Sequence, residues 1–419
     1  MEDFTSLLPV SPVLTNELLS EALTEWFKEP MTFTHWEYVG GMGKGEYYLS
    51  EVIRIKIYGD SNGTSKYVQV VLKNIPKNVC RRLTYRSDEF FRNEINFYQK
   101  VIPKLIEFQS SKNVSDPFTG FTKLFLAYSD GLNDVLCLED ANVEGFGGHT
   151  LRQEGIDFEH CKVTMKTLAQ YHALSFAIKD QKPELFDRIS DAIFETYHDP
   201  RLWDWYIRFW KRICGIAIDA VEKEYPNSIY LEKVKQFAVP ERYEDMIRAV
   251  RGKTNGVMSH GDCWTNNFLY KYNGTGPVSA KIIDFQVVRC ASPVLDVTFF
   301  IYACTDQVLR EKYYDELLKY YYEVLSGQIR QLGSDPDKVY SVETFMQEIK
   351  KYSYFGLASS FESTPFIMLA PEDALSMDTV QGDKKLNIED FWQLPPFKTK
   401  EGRLREVNNI VHCVDRGYI

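Results

Sequence analysis

Two early stretches of the chain alternate apolar and polar residues, and a period of two is typical of half-buried β-strands. The alternating apolar positions are Ile53, Ile55 and Ile57, then Val68, Val70 and Leu72. Asn62–Gly63 lies between the two stretches and is a hairpin-turn signal. Two more apolar runs, Leu124–Tyr128 and Val135–Leu138, flank a second turn signal at Asp130–Gly131. We therefore expect an antiparallel sheet in the first third of the chain.

Apolar residues at intervals of three and four predict helices elsewhere. Within the first third, helices are expected over Leu14–Phe27 and from Ser87 to Pro103, where Ser87 resembles an N-cap and the proline would end the helix. Beyond residue 140 nearly all periodic segments are helical. The pattern thus predicts an α+β fold with two lobes: residues 1–139 form a sheet with a helix, and residues 140–419 form a larger, mainly helical lobe.

Composition narrows the class of protein. A chain of 419 residues is too long for one compact core and suits two lobes. The net charge of −10 argues against nucleic acid or an anionic membrane as a partner. The sequence shows neither a long apolar run nor a signal-peptide pattern, and its eight cysteines form no Cys-x-x-Cys pair. We expect a cytoplasmic protein without a membrane segment or an obligate protein partner.

Glycines and a lysine in the first lobe suggest a site for phosphate. Gly41, Gly43 and Gly45 alternate in a short loop, where backbone N–H groups can approach an anion without a side chain in the way. Lys73 ends the strand Val70–Val71–Leu72 and matches the strand lysine that holds the α- and β-phosphates in kinases. The alternatives are an ordinary glycine-rich turn and a surface lysine at a strand end.

Two acidic residues complete the predicted nucleotide site. Glu94 lies inside the helix after Lys73 and is predicted to pair with it, whereas Glu89 lies in the first helical turn, where a carboxylate suits the helix dipole. Glu139 ends the strand Val135–Leu138 and would belong to a hinge whose backbone binds adenine. The alternative is a strand that runs out into a loop.

The segment Ser259–Asn267 carries the strongest chemical signal. Asp262 is followed five residues later by Asn267, and a short apolar hairpin then leads to Asp284. This order matches the catalytic half of kinases, in which an Asp orients the acceptor hydroxyl and takes its proton, while an Asn and a second Asp bind Mg²⁺. Each of these residues alone would most often be a turn former. Asp296 and Arg289 are interpreted as supports for this loop.

The acceptor is predicted to be a small molecule. No long loop ending in an Ala-Pro-Glu motif follows Asp284, so the peptide-docking platform of protein kinases is missing from the pattern. The segment Trp203–Ile213 has aromatic residues on nearly every side of a predicted helix, more than one buried stripe requires. The surplus could line an apolar acceptor pocket.

Together these motifs resemble the ecdysteroid kinase-like family of insects, which is related to choline kinases and aminoglycoside phosphotransferases in the protein-kinase-like superfamily. The matching residues span about two-thirds of the chain and are Gly40–Gly45, Lys73, Glu94–Tyr98, Leu138–Asp140, Leu168–Phe176, His260–Asn267, Ile283–Arg289, Ser292, Pro293 and Asp296. The resemblance implies a two-lobed fold of the aminoglycoside phosphotransferase type. It also implies Mg²⁺-dependent transfer of the ATP γ-phosphate to a hydroxyl, with ecdysteroid alcohols as the namesake acceptors.

Three functional readings remain open from the sequence. The first is a kinase for a steroid-like alcohol. The second is a kinase for choline, an aminoglycoside-like compound or another small alcohol, since an acidic chain rich in aromatic residues also suits a cation. The third is a pseudokinase that binds ligand without transferring phosphate; the presence of Lys73, Asp262, Asn267 and Asp284 argues against it.

Overall fold

The computed structural model describes residues 4–41, 50–148, 155–252, 255–369 and 380–419. In the first of its two main parts, five antiparallel strands form one sheet in the order β1-β2-β3-β5-β4. The strands are β1 (Thr32–Gly41), β2 (Glu51–Ser61), β3 (Thr64–Asn74), β4 (Leu124–Tyr128) and β5 (Val135–Glu139).

The β2–β3 hairpin forms where the alternation and the turn signal predict it. Asn62 and Gly63 connect the strands and have φ angles of 51° and 82°, the left-handed values that a tight two-residue hairpin turn requires. The inward side chains of both strands pack with helix α1 (Asn16–Phe27), whose Leu19 and Leu23 are fully buried. The sheet therefore has one apolar face covered by a helix.

The helices between β3 and β4 differ from the prediction. They are α2 (Val79–Tyr85), α3 (Ser87–Asn96) and α4 (Ile102–Ser110), with a π-helical turn over Phe97–Val101. Ser87 does not cap α3; Arg86, with a φ of 52°, separates α2 from α3, and no side chain caps α3 at its N-terminus. Pro103 does not end the helical run, because it lies in the first turn of α4, where a missing N–H costs no helical hydrogen bond.

The second part of the chain is mainly helical. Two small sheets interrupt it: β6 (Phe146–Gly148) pairs with β8 (Phe268–Tyr272), which pairs with β9 (Pro277–Ile282), and β7 (Val257–Ser259) pairs with β10 (Arg289–Ala291). The helices are α5 (Phe158–Gln181), α6 (Pro183–Ser190), α7 (Trp203–Glu224), α8 (Ile229–Phe237), α9 (Pro240–Val250), α10 (Pro293–Cys304), α11 (Gln307–Gln331), α12 (Pro336–Val339), α13 (Val342–Ile367), α14 (Ile388–Phe391) and α15 (Lys400–Asp415).

The second part contains two apolar clusters. One is built around α5, α10 and α11 and reaches back to α3 and β5, so it also joins the sheet to the helices. The other is rich in aromatic side chains and lies among α7, α9, α13 and α15. The predicted α+β architecture is thus present, while the exact boundary between residues 139 and 140 stays a prediction.

Among the helices in the described ranges, none combines the length and apolar character needed to cross a membrane.

Candidate active site

Three charged side chains from distant parts of the chain meet in one place. Lys73 Nζ, near the end of β3, lies 2.6 Å from Glu94 Oε2 on α3 and 2.8 Å from Asp284 Oδ1. Burial opposes the charge on Lys73, but the carboxylates of Asp284 and Glu94 outweigh it and raise the pKa of the lysine. The result is a fixed ammonium group beside two acids, and such a group can donate to phosphate oxygens.

Glu94 is held on both of its oxygens. Its Oε1 accepts a hydrogen bond from the backbone N–H of Phe285 at 3.2 Å, so α3 is tied to the segment that carries Asp284. Burial raises the pKa of Glu94, and the neighbouring Lys73 offsets part of this rise. Glu89 lies elsewhere and accepts hydrogen bonds from Arg86 and Arg201. The structure therefore brings Glu94, and not Glu89, to Lys73.

Asp262 and Asn267 are joined within the turn between β7 and β8. Asn267 Nδ2 donates to the Asp262 carbonyl oxygen at 2.8 Å and to its Oδ2 at 2.9 Å. Because the nitrogen is used in this way, the oxygen Oδ1 is the atom of Asn267 left to bind a cation. The spacing of five residues seen in the sequence thus produces a direct contact.

The backbone around these acids needs unusual conformations. Gly261 has a φ of +86°, and a Cβ there would lie 2.5 Å from the carbonyl oxygen of Val287. Asp284 has a φ of 69° without being glycine, which costs about 1 kcal/mol or more. Such strain is tolerated where the surrounding contacts hold the residue, as Lys73 does for Asp284.

Asp296 supports the loop from behind. It accepts hydrogen bonds from the backbone N–H groups of His260 and Gly261, at 2.6 and 2.9 Å. Although burial opposes its charge, the hydrogen bond with His172 at 3.1 Å helps to lower the pKa of Asp296. His172 also contacts the Tyr321 hydroxyl at 2.8 Å. This buried chain of contacts holds the backbone at His260 and Gly261 in place.

A single cavity of about 840 Å³ connects the acids to the aromatic cluster. One part of its lining, which we call the nucleotide side after the role predicted from the sequence, consists of Val52, Lys73, Glu94, Leu138, Ile283 and Asp284. Another part, which we call the acceptor side on the same ground, consists of Tyr197, His198, Trp205, Tyr206, Phe355 and Glu362. Asp262 and Asn267 line the same cavity. The volume is in the range expected for a site that binds small molecules.

Burial makes Asp262 a good proton acceptor near neutral pH. Desolvation, followed by the charge of Asp284, raises the pKa of Asp262 to about 7. A general base is most effective when its pKa lies close to the working pH.

The described residues fit Mg²⁺ only as part of a larger site. They contain no group of three or more His, Cys, Asp or Glu side chains that could hold a metal ion. Asn267 and Asp284 offer oxygen ligands, and Mg²⁺ usually takes one or two protein oxygens together with phosphate oxygens and water. The donor set therefore suits a metal that arrives with a nucleotide.

The sequence matches the ecdysteroid kinase-like family over residues 44–334, which is more than half of the 419-residue chain. The chain belongs to the ecdysteroid kinase-like family. Membership confirms the predicted family and a phosphotransferase of the small-molecule kinase type. The predicted α+β fold is confirmed by the chain's own antiparallel sheet and the mainly helical part that follows it. It implies ATP as the phosphate donor and leaves the acceptor undetermined.

Two solved structures are similar to this ecdysteroid kinase-like chain. Plasmodium vivax ethanolamine kinase matches with 14% sequence identity and a TM-score of 0.41, covering 92% of this chain and 84% of that one. An aminoglycoside-3'-phosphotransferase of type VIII matches with 15% identity and a TM-score of 0.32, covering 82% of this chain and 98% of that one. No curated protein sequence matches the chain.

The remaining predicted nucleotide contacts have mixed outcomes. Gly41 ends β1 and lines the cavity, whereas Gly43 and Gly45 lie outside the described residues. Glu139 also lines the cavity, but its backbone N–H donates to the Lys123 carbonyl at 2.9 Å and its side chain pairs with Lys281 at 2.9 Å. A hinge contact from Glu139 to adenine would therefore have to use its carbonyl oxygen.

Two further findings concern the acceptor side. Arg289, interpreted from the sequence as a support for the catalytic loop, lies 3.3 Å from Glu195 and over the ring of Phe355.

Sequence reasoning missed Glu362, whose two oxygens accept hydrogen bonds from the hydroxyls of Tyr197 and Tyr206 at 2.5 and 2.8 Å. The available signal was a lone carboxylate within the apolar part of α13, which does not by itself reveal partners more than 150 residues away.

Proposed function

We propose that this member of the ecdysteroid kinase-like family transfers the γ-phosphate of ATP to a hydroxyl of a largely apolar, steroid-like alcohol. The observation that carries the proposal is one continuous cavity, with paired charges on one side and aromatic rings on the other. Charged groups suit a nucleotide's phosphates, and rings suit an apolar acceptor.

The chain's own residues divide the chemistry among them. Lys73, held by Glu94 and Asp284, binds the α- and β-phosphates. Asp262 takes the proton of the acceptor hydroxyl while the oxygen of that hydroxyl forms a bond to the γ-phosphorus. The bond between the γ-phosphorus and the β–γ bridging oxygen breaks, and ADP leaves. Asn267 Oδ1 and Asp284 would hold Mg²⁺, which supplies charge neutralisation at the phosphates.

The proposal includes the division of labour between the lobes and the location of the protein. Residues 1–139 would bind the nucleotide, and residues 140–419 would carry the catalytic loop and the acceptor site. All eight cysteines are buried free thiols, which supports a reducing, cytoplasmic compartment.

One observation favours a second acceptor class. Glu362 is a carboxylate among aromatic rings, and that combination also suits the ammonium group of an amino alcohol. Burial raises the pKa of Glu362, so its surroundings disfavour the charged form that would attract a cation, which weakens the case.

The test is phosphate transfer from labelled ATP with Mg²⁺ to ecdysteroids, choline and an aminoglycoside. We expect transfer to a steroid hydroxyl, reduced about a hundredfold or more in Asp262→Asn. Transfer to choline or the aminoglycoside alone would replace the first acceptor class by the second. ATP binding without transfer to any acceptor in a wider metabolite panel would favour a binding protein instead.

A further inference from the structure

Two polar side chains on the acceptor side lack hydrogen-bonding partners among the described residues. His198 is 6% exposed and neither of its ring nitrogens is bonded, and Ser363 is 8% exposed with its Oγ unbonded. Both side chains line the cavity. Buried polar groups are nearly always hydrogen-bonded, so two unbonded groups at one cavity indicate a polar group on a ligand.

Two other polar side chains bordering the same cavity, Glu362 and Ser359, are already satisfied. Both oxygens of Glu362 are occupied by the hydroxyls of Tyr197 and Tyr206. Ser359, one turn before Ser363 on α13, donates its hydroxyl to the Phe355 carbonyl at 2.9 Å. His198 and Ser363 therefore differ from these two neighbours, whose side-chain polar atoms are bonded.

The chemistry of His198 selects the kind of ligand. Burial, together with the charge of Arg289, holds the pKa of His198 well below its usual value, so the ring is neutral. A neutral imidazole has one N–H donor and one nitrogen acceptor, and a hydroxyl can match either one. An ammonium group with N–H bonds can only donate, so it would leave the imidazole N–H unmatched, and the quaternary ammonium of choline could match neither ring nitrogen.

The surroundings of His198 are apolar apart from these groups. Its ring lies 5.4 Å from that of Phe355 and 6.0 Å from those of Tyr206 and Tyr243. A ligand that reaches His198 must therefore bury an apolar skeleton against these rings and place a polar group at the imidazole.

We propose that His198 and Ser363 form a specificity-determining subsite that hydrogen-bonds a second hydroxyl of a neutral, largely apolar acceptor. This hydroxyl is separate from the one that Asp262 activates. The inference rests on the proposed function, because it takes the aromatic side of the cavity as the acceptor site. His198 and Ser363 are positioning residues, since their role is to select and orient the acceptor.

The test uses ecdysone, analogues that each lack one of its hydroxyls, and choline as a cationic probe. Binding to the full chain without ATP is measured by quenching of intrinsic fluorescence, for wild type, His198→Phe, Ser363→Ala and His198→Gln. Ser353→Ala is the matched control, because its hydroxyl lies on the same helix and donates to the Ile349 carbonyl. Thermal unfolding of each variant shows whether it is folded.

We expect one analogue to bind wild type about tenfold more weakly than ecdysone, the effect of one lost hydrogen bond to a buried group. In His198→Phe that analogue and ecdysone should bind with equal affinity. His198→Gln keeps a donor and an acceptor, so it should restore part of the difference in affinity between the two ligands. Ser363→Ala should reduce the difference, and Ser353→Ala should leave it unchanged.

Three results would overturn the inference: no ecdysteroid binds, His198→Phe weakens all analogues by the same factor, or it weakens none. Phosphate transfer measured on the same samples separates the two proposals. Binding that depends on His198 without transfer would sustain the subsite and reject the kinase reaction. Phosphate transfer to an ecdysteroid whose binding does not depend on His198 or Ser363 would sustain the kinase reaction and reject the subsite.

Discussion

The nucleotide and acceptor sides of the cavity are built on different principles. On the nucleotide side, Lys73, Glu94 and Asp284 bind one another, so their positions are set before any ligand arrives. On the acceptor side, aromatic rings lie around His198, and neither its ring nitrogens nor the Ser363 hydroxyl has a hydrogen-bond partner among the described residues. The comparison indicates that the proposed nucleotide site is held together by ion pairs, whereas the proposed acceptor site is defined by its aromatic walls and by polar atoms without hydrogen-bond partners.

This difference has a consequence for substitutions. Removing a charge on the nucleotide side leaves another buried charge without its partner, which is costly. Removing one hydrogen bond on the acceptor side should change the affinity for the acceptor and the preference among acceptors, while the chemistry at Asp262 stays intact. Four predictions test this comparison, in order of decreasing effect.

Asp284→Asn should have the largest effect. It removes a partner of Lys73 and, in the proposed site, a negative ligand for the metal, and metal-ion stabilisation of phosphoryl transfer contributes several kcal/mol. We expect kcat to fall about a thousandfold. Steady-state transfer assays at saturating ATP and Mg²⁺ would measure the fall in kcat. A loss below tenfold would show that Asp284 has no essential role in the reaction.

Glu94→Gln should have a smaller effect on the same side. Lys73 keeps Asp284 but loses a charge-assisted hydrogen bond, which typically contributes about 1.5–3 kcal/mol, so kcat/KM for ATP should fall about tenfold or more. Glu89→Gln is the matched control, because it removes an acid from the same helix that pairs with Arg86 and Arg201. Equal losses in both variants would contradict the special position of Glu94.

The pH profile should report Asp262. Its pKa is raised to about 7, and only the deprotonated carboxylate can take the acceptor's proton. We expect kcat/KM to rise with pH up to about 7 and to fall about tenfold per unit below it. A profile that stays flat down to pH 5 would show that Asp262 does not titrate in the reaction.

Deprotonation of Asp262 should lower the stability of the fold, although it raises activity. Because the folded pKa of Asp262 is raised from 3.8 to about 7, the folded chain holds a proton that the unfolded chain has lost, so this group's contribution to stability falls as pH rises between those values. Above pH 7 the charged Asp262 destabilises the fold. Asp262→Asn should therefore raise Tm by about 1–3 °C at pH 8 and have less effect at pH 4.

Calorimetry at both pH values, without nucleotide, measures the difference. A variant that is less stable than wild type at pH 8 would mean that the Asp262 carboxylate stabilises the fold, contrary to its raised pKa.

Much of the nucleotide side could be predicted because its residues follow fixed spacings along short elements. Lys73 ends an alternating strand, and Asp262 and Asn267 are five residues apart, so local patterns were enough to place them. The β2–β3 hairpin followed from the period of two and from Asn62–Gly63. The helix ends were harder: Pro103 was expected to stop a helix but is tolerated in the first turn of the next.

The acceptor side could not be predicted in the same way. His198 precedes α7 and Glu362 lies on α13, and neither lies in a motif. Their roles depend on which side chains tertiary packing leaves bonded or unbonded, and no local pattern encodes that. Trp205 and Tyr206, from the aromatic segment Trp203–Ile213, line the cavity, but the role of that segment in an acceptor pocket stays a prediction.

The most direct measurement is a single-turnover assay of phosphate transfer from labelled ATP in wild type and Asp262→Asn, with the Kd of ATP and of the acceptor determined on the same samples. The account predicts that both affinities stay within about twofold while the transfer rate falls about a hundredfold or more. A transfer rate that is unchanged, or a loss explained wholly by weaker binding of either substrate, would contradict the claim that the two sides of the cavity meet chemically at Asp262.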